Sequence, residues 1–357
     1  MRGPAAPAVP HNPGVAAAPA PAPDPGPDPG SVRHGTGTDW SRRALAVDIG
    51  GTKFAAAVVT ELGEIVASRR MPTPRSRDGD VLFAALTEAV DAVLHAVGLE
   101  PHEAAVLPAV GVATAAPLDL GAGTVSPVNI PGWRDFPLRD RLVERYGCEV
   151  RMLGDAVAVA VGEHWRGAAR GRRNVLGMVV STGVGGGVVV DGRVVAGTTG
   201  NAGHIGHVSV DPFGPACVCG GTGCLEAVAS GTSITRWARE HGLADGDAAA
   251  GAAGVADAAL RGDPIALATF RRAGEAIGLA VAGAVTLLDL DVVVIGGGVA
   301  LAGPVLFDPI ADGYARYAAL GYASSPRVVP ALLGGDAGLI GAAGAVLRAD
   351  AYWPHGR

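Results

Sequence analysis

Four residues near the middle of the chain have the types and spacing of a metal site. His207 is followed by Cys217, Cys219 and Cys224. One imidazole and three thiolates match a closed tetrahedral zinc set. Glycines at 220, 221 and 223 let the backbone bring three sulfurs together. Four protein ligands leave no open coordination position, so the expected role is structural. Zinc would fasten the loop that also carries His204 and Glu226. The competing reading is two spare thiols beside a redox pair.

A second chemistry is suggested by three glycine clusters. Asp48-Ile49-Gly50-Gly51-Thr52-Lys53 falls between two apolar runs. Ser181-Thr182-Gly183-Val184-Gly185-Gly186-Gly187 repeats the theme, and Gly296-Gly297-Gly298 ends a third apolar run. Bare N–H groups in such turns wrap phosphate oxygens, and ligands of α/β sheets collect at the C-terminal ends of strands. The candidate phosphate contacts are Gly50, Gly51, Thr52, Lys53, Thr182, Gly183, Gly185, Gly186, Gly296, Gly297 and Gly298. Asp48 would hold Mg²⁺ directly or through water. Lys53 is the only lysine in the chain. No G-x-x-x-x-G-K-[ST] occurs, and Val188 and Leu301 occupy the third-glycine positions of any G-x-G-x-x-G. Any one cluster alone is as well read as a tight turn; three at strand ends are better evidence.

Alternating strands and helices must position these residues. Apolar runs predict strands at 44–48, 54–60, 64–70, 106–112, 150–153, 176–181, 188–191 and 292–295. The spacing of Leu82, Leu86, Val90, Val93 and Val97 predicts a helix over 81–97. Further helices are predicted at 138–145, from Asp155, at 276–288 and at 336–348. Thr182 to Gly187 reads as a glycine-rich turn. The order strand, glycine turn, strand, turn occurs twice, near 45–65 and near 176–195. This weak repeat predicts two related α/β lobes facing each other. The smaller would span 41–153, with the last helix (about 336–350) packed back on it, and the larger 154–335.

Composition sets outer bounds. The length of 357 residues suits two domains. Glycine is abundant, at 55 residues, yet no Gly-X-Y period marks a collagen. A hydrophobic fraction of 49% excludes full disorder. The net charge is 28 − 34 = −6, which gives no footprint for nucleic acid. The longest apolar run, 276–288, is too short to span a bilayer, and the N-terminus lacks an apolar signal-peptide core. A cytoplasmic protein without nucleic-acid or membrane partners is expected. Residues 1–40 hold ten of the 26 prolines and read as a disordered tail.

Taken together, these residues resemble the ROK family of bacterial sugar kinases and related repressors. The resemblance covers about 43–350. Asp48 to Lys53 is similar to the family's first phosphate motif and Thr182 to Gly187 to its second. Cys217-x-Cys-Gly-x-x-Gly-Cys-x-Glu226 matches the family signature at every fixed position. The resemblance implies an α/β, two-lobed actin/hexokinase-like (ribonuclease H-like) ATPase fold with the active site in the cleft. It implies that Asp155 acts as general base on a sugar 6-hydroxyl, and that Asn129 and Glu226 bind the sugar. His207, Cys217, Cys219 and Cys224 match its zinc ligands. The implied cofactors are ATP, Mg²⁺ and structural Zn²⁺, and the family commonly forms homodimers.

Two positions depart from the family pattern. Gly154 stands where an asparagine usually precedes the catalytic aspartate, so one sugar contact is lost or supplied elsewhere. His204 stands where a glutamate usually grips the sugar near its 1- and 2-hydroxyls. That should alter selectivity at carbon 2. The runs Ala202 to His207 and Glu226 to Gly231 resemble N-acetylmannosamine kinases more than glucokinases. The expected activity is therefore phosphorylation of a hexose or N-acylhexosamine, leaning to N-acetylmannosamine. The alternative is a glucokinase using ATP or polyphosphate. A non-catalytic sugar-sensing regulator is a further alternative, but residues 1–40 are too short and proline-rich for a winged helix-turn-helix. Simpler roles stay open: a helix cap for Asp155, zinc-loop packing for His204, a turn for Asn129.

Overall fold

A computed structural model of the chain describes residues 39–324 and 327–353. The proline-rich stretch 1–38 lies outside the described residues. Asp39 caps a short 3₁₀ turn, Trp40–Arg42, through a hydrogen bond from the Ser41 N–H.

Two five-stranded sheets organise the chain. The first half runs β1 (Arg43–Ile49), β2 (Lys53–Thr60), β3 (Ile65–Pro72), α1 (Gly79–Ala96) and β4 (Ala109–Thr114). A small hairpin follows, β5 (Leu118–Asp119) and β6 (Thr124–Val125), then α2 (Leu138–Tyr146), β7 (Glu149–Gly154) and α3 (Asp155–Arg166). The second half opens with β8 (Val175–Val180), β9 (Val184–Val190) and β10 (Arg193–Val194). Helices α4 (Leu225–Ala229), α5 (Gly231–Glu240), α6 (Asp245–Ala249), α7 (Ala252–Leu260) and α8 (Pro264–Leu288) precede β11 (Val292–Gly296). The chain then runs through α9 (Pro304–Tyr317), β12 (Arg327–Pro330), α10 (Ala337–Leu347) and α11 (Ala349–Tyr352).

The sheets share one plan. Their orders are β3-β2-β1-β4-β7 and β10-β9-β8-β11-β12. In each, an antiparallel three-strand meander is followed by two strands parallel to its first strand. The repeat read from sequence is this shared topology.

Side-chain size explains the layering. Along β1, Leu45, Val47 and Ile49 face a core shared with α1 and α2, while Ala44 and Ala46 face the other way. Ala55, Ala57, Ala109 and Ala113 continue that small-residue face, and α10 lies on it. Helix α10 is buried over Ala337 to Val346, so its apolar residues run all round. Helix α3 crosses α10 and packs on β8 and β9 of the second sheet. The crossing is backbone on backbone: a Cβ on Gly341 would overlap the Ala158 carbonyl. Glu163 of α3 is fully buried. Its carboxylate accepts N–H groups from Ala168 (2.8 Å), Leu332 (3.0 Å) and Leu333 (2.8 Å), which fixes the loop leading to α10.

Several predicted boundaries shift. The strand predicted at 106–112 begins at Ala109, because Pro101–Val106 forms a 3₁₀ turn closed by a capping box of Glu100 and Glu103. The glycine turn predicted over 182–187 shortens to 181–183. Gly185, Gly186 and Gly187 are strand residues paired with Val179, Met178 and Gly177. The helix predicted at 276–288 starts twelve residues earlier, at Pro264, where Asp263 accepts the N–H groups of Ile265 and Ala266.

Candidate active site

The first glycine turn links β1 to β2. Gly50 N–H donates to the Lys53 carbonyl at 3.0 Å, and Thr73 Oγ1 donates to the Gly50 carbonyl at 2.7 Å. Thr52 and Lys53 are left exposed. Asn129 lies directly over this turn: a Cβ on Gly51 would come 2.5 Å from Asn129 Cγ. The loop bearing Asn129 is rigidly held. Ile130 and Trp133 are buried, and Trp133 stacks on Phe54 and Phe136. Arg134 Nη1 donates to the carbonyls of Pro127, Ile130 and Trp133 at 2.9, 3.0 and 2.6 Å.

Asp48 and Asp155 sit at the C-terminal ends of β1 and β7, with β4 between them. Both carboxylates remain open to water yet are hemmed in by protein, as on the floor of a cleft. Loss of water around it, then the Asp155 charge, pushes the Asp48 carboxyl up to about 6; Lys53 and Arg70 oppose. Asp48 also rests on the first turn of α10, 2.9 Å from where a Cβ on Gly338 would lie. A helix start favours an anion there. Burial likewise pushes the Asp155 carboxyl up, opposed by the Ala156 N–H, which donates to Oδ1 at 2.7 Å, and by His204 when its ring is protonated. Two carboxylates raised in this way suit a divalent cation and a proton-accepting role.

The second and third glycine clusters meet at the parallel ends of β8 and β11. Gly297 has φ +91°, and a Cβ there would overlap the Val180 carbonyl. Glycine is thus required for this approach. Glu226, on α4, reaches the second cluster: its Oε2 accepts the Val184 N–H at 2.9 Å. The Gly231 N–H donates to the Ser181 carbonyl at 2.7 Å, and Thr232 Oγ1 to the Thr182 carbonyl at 3.0 Å. Gly183 lies in this loop, against Glu226. Gly185 and Gly186 serve packing: Cβ atoms there would come 2.9 Å from the Ala156 Cβ and from the Gly203 carbonyl respectively. Gly296 ends β11, and Gly298 faces open space.

His204 and Asn201 form a unit that the sequence did not reveal. The His204 Nδ1 lies 2.7 Å from the Asn201 carbonyl. A carbonyl only accepts, so Nδ1 carries the proton, and in the neutral ring Nε2 presents a lone pair. Asn201 is itself held by the Leu118 backbone, to whose carbonyl its Nδ2 donates at 2.9 Å. Gly154 is buried and precedes α3; a Cβ there would meet only Val157 Cγ2, at 3.6 Å. Arg70, paired with Asp336, adds a positive charge beside Asp48. In sequence it reads as an ordinary arginine of a polar edge strand.

The four expected metal ligands converge. The ligand atoms of His207, Cys217, Cys219 and Cys224 all lie within 4.8 Å of one another. Cys217 Sγ is 3.8 Å from His207 Nδ1, and Cys219 Sγ is 3.6 Å from Cys224 Sγ. A zinc tetrahedron with bonds of about 2.3 Å to sulfur and about 2.0 Å to nitrogen places its ligand atoms about 3.5–3.8 Å apart. The donor set and its spacing therefore fit zinc. Gly223, with φ +63°, packs on the Asp211 backbone and turns the chain into Cys224.

Two α/β halves of one topology, with carboxylates and glycine turns at strand ends, define a two-lobed phosphotransferase of the actin/hexokinase-like fold. The comparisons with known proteins agree. The ROK family profile matches residues 44–349. The glucokinase of Thermotoga maritima is 36% identical over 313 residues, 84% of this chain and 96% of that protein. An N-acetylmannosamine kinase of Yersinia pseudotuberculosis is 37% identical over 265 residues, 73% of this chain and 84% of that one. The crystal structure of a ROK family glucokinase from Streptomyces griseus, in complex with glucose and AMPPNP, is 33% identical with a TM-score of 0.72; the match covers 86% of this chain and 99% of that one. The chain belongs to the ROK family and is a sugar kinase. Among the described residues, no helix is long and apolar enough to cross a membrane.

Proposed function

We propose that the protein transfers the γ-phosphoryl group of ATP to the 6-hydroxyl of glucose. The observation that carries this reading is the orientation of His204. Its Nδ1–H is committed to Asn201, so the neutral ring offers Nε2 as an acceptor. A sugar hydroxyl that would donate to a glutamate at this position finds an acceptor here as well. The substitution therefore does not require an N-acyl sugar. The similar glucokinase also covers more of this chain than the N-acetylmannosamine kinase does, at nearly equal identity.

Phosphoryl transfer needs mainly positioning and charge neutralisation. Asp155 takes the proton of the 6-hydroxyl as the oxygen attacks phosphorus. Its raised affinity for a proton, caused by burial, suits that role. Asn129, His204 and Glu226 orient the sugar. The turns at 50–52, 182–183 and 296–298 wrap the nucleotide phosphates, with Lys53 beside them. Mg²⁺ carried with the nucleotide supplies charge neutralisation, and Asp48 is the group that would hold it or its water. His207, Cys217, Cys219 and Cys224 would hold a structural zinc, which would fasten the loop between His204 and Glu226.

The test is a coupled ADP-release assay over glucose, N-acetylmannosamine, N-acetylglucosamine and mannose, with polyphosphate as a separate donor arm. Glucose with ATP is expected to give the highest kcat/KM. His204→Ala is expected to raise the glucose KM about tenfold, the loss of one hydrogen bond, with the ATP KM unchanged. A preference for N-acetylmannosamine would replace the glucose reading.

A further inference from the structure

Away from the cleft, a pocket of about 310 Å³ opens between the zinc loop and helices α5 and α8. Ser233, Arg236, Trp237, Glu240 and Arg272 line it, and Pro215 and Ala216 form its rim. Three of these side chains donate to three successive carbonyls of α4. Ser233 Oγ donates to Glu226 at 2.9 Å, Arg236 Nη2 to Ala227 at 3.3 Å, and Arg272 Nη1 to Val228 at 3.0 Å. The anchoring brings two guanidiniums into one concavity. Each guanidinium carries five N–H donors, and each gives one to a protein carbonyl.

Two guanidiniums share this pocket with the Glu240 carboxylate, and Asp211 acts on Arg272. Loss of water lowers the Arg272 pKa from its ordinary value, and repulsion from Arg236 adds to this; Asp211 and Glu240 oppose. The Glu240 carboxylate stands 4.0 Å from Arg236 Nε, at the outer limit of an ion pair. Arg272 is fixed over the Trp237 ring at 5.9 Å, and the indole is stacked on His241 at 3.6 Å. Two pre-positioned guanidiniums with spare donors match the oxygens of a phosphoryl group, which they bind in fork geometry.

We propose that this pocket is a second ligand site that takes a small phosphoryl anion. The probe is inorganic phosphate, titrated calorimetrically into the purified chain. Lys53→Ala serves as the control for phosphate bound at the first glycine turn. A binding component is expected that survives in Lys53→Ala, weakens at least tenfold in Arg236→Gln and weakens less in Arg272→Lys, which keeps the charge but not the fork. Arg236 is exposed and donates a single bond of 3.3 Å, so its replacement leaves the fold in place; thermal melting checks this. Phosphate binding that vanishes in Lys53→Ala, or that is equal in Arg236→Gln and the unmodified chain, overturns the proposal.

Discussion

Glu226 Oε2 accepts the backbone N–H of Val184 at 2.9 Å. A side chain proposed to bind sugar is thus bonded to the backbone beside a turn proposed to bind phosphate. A single hydrogen bond thus joins the two proposed subsites. The same helix, α4, begins directly after Cys224, so the metal loop, the sugar contact and the glycine turn form one connected unit.

Replacing Asp155 separates chemistry from folding. Asp155→Ala is expected to lower kcat by about 10²–10⁴, the range for loss of a general base. Among the described residues, its side chain bonds to another residue only through the adjacent Ala156 N–H, so melting temperature and calorimetric glucose affinity should stay close to those of the unmodified chain. Substantial residual turnover would remove it from the base role.

Metal content reads the cysteine loop directly. Elemental analysis of the purified chain should find about one zinc per chain, by the ligand count. Cys219 is exposed, so Cys219→Ser removes a ligand without opening the core. That variant should lose zinc and melt at a lower temperature, and added zinc should no longer protect it. A fully active, metal-free preparation would sink the structural-zinc assignment.

Asp48 gives the stability a sign opposite to that of most carboxylates. Its folded pKa is pushed up to about 6. Between the ordinary carboxylate range and pH 6, the folded chain therefore keeps a proton that the unfolded chain has released. Stability falls as pH rises through that window, then levels off. Asp48→Asn should raise the unfolding free energy at pH 8 by about 1–2 kcal/mol after solvent screening, a gain that vanishes near pH 4. Urea unfolding at the two pH values measures the difference, and a gain independent of pH would assign the effect elsewhere. Kinase activity should fall in the same variant.

Glu163 is a buried acceptor that neighbouring N–H groups satisfy. Glu163→Gln keeps the shape but turns an NH₂ toward donors on Ala168, Leu332 or Leu333. The expected cost is about 2–4 kcal/mol in urea unfolding, the range for a buried group deprived of its partner. A cost below about 0.5 kcal/mol would show that the loop at 332–333 is held by other contacts.

The local parts of this architecture were legible in the sequence. The first three strands, the turn at Gly50 and the cysteine cluster depend on neighbours within about ten residues, and their types announce them. Helix α8 was only half legible, because Arg271, Arg272 and Glu275 interrupt its apolar pattern before Ala276. Gly185, Gly186 and Gly187 read as a turn, since glycine usually punctuates strands. The structure places them in β9 because α3 and the Gly203 loop press too close for side chains. The confrontation of Asp48 with Asp155, and the hold of Asn201 on His204, arise from sheet order and loop packing, which no local pattern encodes. Glu163 carried no signal either: two of its three partners, Leu332 and Leu333, lie 169 and 170 residues away.

At Gly341 helix α10 meets the Ala158 backbone of α3 directly, while three residues further on the Val161 and Trp165 side chains pack over Gly344. Asp155 opens α3 and Asp48 rests on the opening turn of α10. The gap between the two helix starts is therefore referenced in part to main chain at Gly341, as a machined part is referenced to a datum face. Any residue with a Cβ at 341 would widen that gap by wedging the helices apart, so alanine, the mildest replacement in most proteins, would act at this position as a shim.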